Sequence, residues 1–139
     1  MTPDERASRL YDRVMRYGEE GKLDSARTFA PMAIQAYEML GALDSHSRYD
    51  IGMVAMVSGD LNMARAQADT ILSRDRNHLL GLVLAAKVAG LRKDAAAQAR
   101  YQKQLVTADG SERARKLKEY DTHQSDIEGA LKAARAAKP

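Results

Sequence analysis

Cysteine and tryptophan are absent from this 139-residue chain, phenylalanine occurs once and proline three times. Without cysteine there is no disulfide, no thiol nucleophile and no zinc site built on thiolates, and the composition suits a reducing cytoplasm and a periplasm equally. Cytoplasm is the default expectation; the alternative is a soluble fragment of a membrane-anchored or periplasmic protein. Aromatics make up only 5% of residues, and Val, Ile and Thr are sparse. With Ala abundant, that balance favours helix over sheet throughout. No apolar run approaches the ~20 residues that cross a bilayer and no basic-then-apolar leader opens the chain, so direct membrane insertion is not expected. What is present is 45% hydrophobic residues, enough for a core, and 29% charged ones. The length suits a single domain over residues 1–139.

The motifs of catalysis are scarce too. His46, His78 and His123 are far apart, with no HxxxH or HExxH spacing to hold a metal. His46 and Asp50 share a helix face at i, i+4, which reads as an exposed hydrogen-bonded pair. Neither GxGxxG nor GxxxxGK[ST] occurs, and nothing resembles a nucleophile elbow. The expectation is a protein without catalysis, cofactor or metal.

The sequence pI of about 9.2 raises nucleic acid as a partner, but the net charge is only +3. By segment the net is −2 over residues 1–44, 0 over 45–78, +4 over 79–108 and +1 over 109–139. Only the third segment is locally basic. Its Arg92, Lys93, Arg100 and Lys103 form a candidate rim that can touch phosphates, yet without interleaved aromatics it is poorly suited to reading bases. Steering of an acidic protein partner is the better expectation, with weak nucleic-acid binding as an alternative.

Helix punctuation is legible along the chain. Thr2 is placed to cap a first helix, with Pro3 at its first position and Glu5 three residues on. That helix is expected to end near Tyr17, before Gly18 and Gly21. Further helices are expected over about 23–40, 47–58, 61–73, 77–91 and 94–108, with two amphipathic stretches beyond Gly110. Pro31 interrupts the second helix, a cost of ~3 kcal/mol unless packing offsets it.

Residues 45–78 form a 34-residue unit with Gly52 and Ala55 on one expected helix, Gly59 in the turn, and Ala64 and Ala68 on the next. Upstream, GlyLysLeuAspSerAlaArg (Gly21 to Arg27) aligns with GlyAspLeuAsnMetAlaArg (Gly59 to Arg65) at an offset of 38; downstream an offset of 34 pairs Asp60 with Asp94, Gly52 with Ala86 and Ala55 with Ala89. In this pattern the unit resembles a tetratricopeptide repeat. The resemblance covers roughly residues 7–112 as three units, 7–44, 45–78 and 79–112, with capping helices over about 111–137. Trp is absent from the first large position, Arg76 replaces the usual Pro, and Gln98 stands where the third unit should carry Ala.

The resemblance implies an all-α fold, a right-handed superhelix of helix-turn-helix repeats. It also implies a scaffold or adaptor that binds a partner helix or extended peptide in a concave groove lined by the first helix of each pair. On that register the groove residues are Tyr11, Met15, His46, Tyr49, Met53, Met56, Val83 and Lys87. The Lys, Asn and Arg that clamp a peptide carboxylate in some family members are missing from these positions. What stands there instead is a Tyr and Met ladder suited to an apolar partner surface. A self-associating scaffold whose groove takes a helix of a neighbouring copy, hence a homo-oligomer, is the alternative. Leu117, Tyr120, Ile127 and Leu131 are expected to cover the apolar edge of the third unit.

Overall fold

The computed structural model describes residues 1–137, and among these every regular element is an α-helix. In order they are α1 (Pro3–Glu19), α2 (Leu23–Glu38), α3 (Ser45–Val57), α4 (Leu61–Arg74), α5 (Leu79–Leu91), α6 (Ala95–Arg113), α7 (Lys118–Thr122) and α8 (Gln124–Ala136). No described helix is long and apolar enough to cross a membrane. The chain divides into two compact units, Met1–Gln67 and Ala68 onward, the division falling inside α4.

In the first unit the Thr2 hydroxyl accepts the Glu5 amide at 3.1 Å and Pro3 opens α1, as the sequence predicts. Glu5 answers through its carboxylate, which accepts a hydrogen bond from the Thr2 hydroxyl at 3.2 Å, rather than one from the cap amide. Helices α1, α2 and α3 pack on one another around Val14, Ala26, Ala30, Ala33 and Val54, with Leu10, Tyr17, Phe29 and Val57 at the edge. Three alanines on one face of α2 let the axes close to about 8–10 Å, where larger residues would hold them apart. Gly18 serves the same end, since a Cβ there would stand 2.7 Å from Val57 Cγ1. Pro31 lies inside α2, which runs through it. Asp44 caps α3 by accepting the Ser47 amide at 2.8 Å.

In the second unit α5 is apolar on every side and correspondingly buried from Leu79 to Ala89, Lys87 excepted. It packs against α6, and α8 lies against both. Tyr120, Ile127 and Leu131 are buried and Leu117 half-buried, so the terminal helices cover the α5–α6 hairpin. Gln98, at the position where the repeat pattern calls for Ala, is accommodated by a glycine opposite: a Cβ on Gly90 would stand 2.6 Å from Gln98 Nε2. The α6 helix does not stop near residue 108. It continues through Gly110 to Arg113, because Gly110 keeps a right-handed backbone and the left-handed residue that ends this segment is Lys116, at φ 54°.

One turn occurs three times. After α1, the Lys22 amide donates to Tyr17 O at 2.8 Å and the Gly21 amide to Gly18 O at 3.2 Å. After α3, Asp60 donates to Ala55 O at 2.8 Å and Gly59 to Met56 O at 3.1 Å; after α5, Asp94 donates to Ala89 O at 2.9 Å and Lys93 to Gly90 O at 3.0 Å. Each is a Schellman closure, with its left-handed residue at Gly21 (φ 74°), Gly59 (φ 94°) and Lys93 (φ 61°). Asp60 and Asp94 then cap the following helices through the amides of Met63 and Ala97, at 3.0 and 3.1 Å. These turns fall at the offsets of 38 and 34 read from the sequence.

Candidate partner-binding surface

The residues assigned to a concave groove do not form one exposed face. Tyr49, Met53 and Val83 are buried, at 0%, 4% and 0% exposure. The repeat register assumes that the first helix of each pair leaves a face open. Yet α3 is buried at every residue from Tyr49 to Ala55, and α5 has no polar face to leave open. Tyr11, Met15, His46, Met56 and Lys87 are half-buried. Asp50 is not the exposed partner of His46 that its spacing suggests. It is buried, accepts the Tyr37 hydroxyl at 2.7 Å and stands 3.8 Å from His46 Nε2. Burial, and after it the Asp50 carboxylate, pushes the Tyr37 phenol well above its ordinary range. The rim residues Arg92, Lys93, Arg100 and Lys103 are all exposed.

A second basic face lies on α1. Arg6, Arg9, Arg13 and Arg16 recur at i, i+3, i+7 and i+10, which at 3.6 residues per turn puts them within an arc of about 80° along ~15 Å of helix. All four are exposed, and among the described residues none forms an ion pair with a carboxylate. They line an open groove of about 570 Å³ with Leu10, Tyr17 and a single carboxylate, Asp12. Arg13 is held in place: its guanidinium lies 4.0 Å from the Phe29 ring centroid and 5.7 Å from that of Tyr17, and its Nε donates to the Tyr17 hydroxyl at 3.2 Å. Tyr17 and Phe29 are themselves stacked at 5.7 Å. Along α2 and its C-terminal cap, Phe29, Met32, Ala36 and Met39 repeat the same i, i+3, i+7, i+10 spacing. Met32 is 43% exposed and Met39 79%. They open onto a second groove, of about 530 Å³, which Arg6 also lines.

The second unit carries a buried polar network that sequence reasoning missed. His78 Nε2 and Glu119 Oε2 are 3.0 Å apart, and the His78 ring packs against Tyr120 with centroids 5.1 Å apart. The Tyr120 hydroxyl accepts the buried Leu79 amide at 3.0 Å and donates to Glu112 at 2.6 Å. Arg115 closes the set on Glu112 at 2.8 Å and Asp75 at 2.7 Å. Apart from His78 Nδ1, which is buried without a hydrogen-bond partner, the named groups satisfy one another, which is the arrangement of a structural clasp between α7 and the start of α5.

Comparison with protein-family models, with curated proteins and with solved structures finds no match.

Proposed function

We propose that this protein is a non-catalytic scaffold, built from degenerate tetratricopeptide-like hairpins, that binds a partner protein through a helix or extended segment. The observation that carries this reading is the threefold recurrence of one Schellman turn at the register read from the sequence. A repeat whose hairpins share one closure generates extended surface without needing a catalytic cleft. With Tyr49, Met53 and Val83 buried, recognition falls to exposed and half-buried side chains, and the exposed Arg92, Lys93, Arg100 and Lys103 suit the steering of an acidic partner more than its residence.

The test is reconstitution. A protein captured on the immobilised chain and identified by mass spectrometry is purified, and the pair is titrated by calorimetry, with light scattering giving the stoichiometry. A defined complex with micromolar or tighter affinity supports the scaffold. Concentration-dependent self-association with no reconstituting partner replaces it with a self-assembling one.

A further inference from the structure

We propose that the outer face of the first hairpin, the α1 arginine row beside the α2 methionine stripe, docks an acidic amphipathic helix of a partner protein. This rests on the scaffold reading and supplies the chemistry of the partner.

The two stripes have one spacing. Arg6, Arg9, Arg13 and Arg16 on α1, and Phe29, Met32 and Ala36 on α2 with Met39 at its C-terminal cap, each follow i, i+3, i+7, i+10. A third helix laid along the hairpin presents its own side chains at that rise, so carboxylates along one edge meet the arginines while apolar residues along the next meet the methionines. The charge side is open to a partner because the four arginines, gathered on one arc, lack carboxylate partners among the described residues. The acids of α1 lie to one side of the row: at 100° per residue Asp4, Glu5, Asp12 and Glu19 fall on the adjoining arc, and of these only Asp12 lines the groove. The apolar side is adaptable, since unbranched thioethers conform to irregular partners. The two grooves meet at Arg6, so one ligand can occupy both.

Nucleic acid fits this face less well. The Phe29 ring that could stack a base is covered by Arg13 and Tyr17, leaving the row without a free aromatic platform. A lipid surface calls for a protruding apolar rim, whereas Met32 and Met39 open onto a groove.

The probe is a synthetic helix of about 18 residues, long enough to hold several turns, with Glu at i, i+3, i+7 and i+10 and Leu on the adjoining arc. Its control has the same composition scrambled. Binding is read by fluorescence anisotropy at low and physiological salt, beside a dT oligonucleotide and phosphatidylserine vesicles. Expected is salt-dependent micromolar binding of the patterned peptide, at least about tenfold weaker for the scrambled one. Arg9→Gln/Arg16→Gln, which leaves the Arg13 stack intact, is expected to lose at least about tenfold, mostly in association rate, and Met32→Ser/Met39→Ser to dissociate faster. Circular dichroism confirms that both double variants fold.

Equal binding of patterned and scrambled peptides, indifference to both double variants, or preference for the oligonucleotide or the vesicles overturns the proposal. If a reconstituted partner binds both variants as tightly as the parent, this docking site falls and the scaffold stands. If the peptide behaves as expected while no partner protein reconstitutes, the face is as described and the scaffold reading falls.

Discussion

The two glycines of α5 receive the same substitution and should answer differently, Gly81→Ala with a loss of stability and Gly90→Ala with almost none. Replacing Gly by Ala inside a helix recovers up to ~1 kcal/mol of propensity at either position. What the new methyl meets decides the remainder. At Gly81 it would stand 2.7 Å from Ile71 Cγ2 and 2.8 Å from Leu72 Cδ2. Ile71 is fully buried and β-branched, stiff at χ1, so relief requires movement of α4 against α5. Overpacking of this kind costs ~1–3 kcal/mol, so Gly81→Ala should destabilise by up to ~2 kcal/mol net. At Gly90 the obstacle is the amide end of half-buried Gln98, at 2.6 Å, which can swing toward solvent for ~0.5–1.5 kcal/mol of rotamer cost. Gly90→Ala should therefore be near neutral, and Gly90→Ala/Gln98→Ala more stable than Gln98→Ala alone by about the ~1 kcal/mol of propensity. Urea unfolding followed by far-UV circular dichroism suits a chain without tryptophan. If Gly81→Ala is as stable as Gly90→Ala, α4 and α5 are not held at contact distance by the glycine, and the close-packing account of these hairpins fails.

Two further outcomes follow from the buried phenols. Tyr120→Phe strands the buried Leu79 amide and removes a bond to a carboxylate, together ~2–4 kcal/mol, with faster amide exchange at the start of α5; a loss under ~0.5 kcal/mol would show that the clasp carries no stability. Tyr37 is raised above its ordinary 10.0 in the folded state, so the stability of its neutral form is complete below pH 10 and declines as pH rises beyond it. Tyr37→Phe should thus be less stable at neutral pH, having lost the Asp50 bond, but flatter in stability between pH 9.5 and 11 (roughly, from the linkage relation); an unchanged alkaline slope would contradict the burial of that phenol.

Local signals were the readable part of this fold. Thr2 and the glycines of the first two turns announce themselves because caps and left-handed residues act over a few positions. The offsets of 38 and 34 locate even the third turn, where Lys93 rather than glycine takes the left-handed conformation. Gly110 misled for the converse reason: glycine permits a helix stop without requiring one. The clasp was hidden because His78 and Glu119 lie 41 residues apart and neither is unusual alone. The burial of Tyr49 and Met53 was hidden because the repeat register says which side of a helix faces its own hairpin, not what else covers it.

The arginine face was present in the sequence but obscured by how charge was added up. Residues 1–44 sum to −2, a value that marks the segment as the most acidic of the four. Summation along the chain mixes the two sides of α1. Resolved by angle, the same helix carries four guanidinium groups without a carboxylate partner among the described residues on one arc, and Asp4, Glu5, Asp12 and Glu19 on another. A solvated charge run ordinarily interleaves the signs so that i, i+3 and i+4 neighbours attract, each pair contributing ~0.2–0.5 kcal/mol. Glu5 with Arg9 and Asp12 with Arg16 have that spacing, yet neither pair closes. A helix that leaves those contacts unmade keeps its positive field directed outward, beside an α2 stripe whose Met39 is 79% exposed. Charge and apolar surface held open side by side are what a partner helix with the complementary halves would bury together.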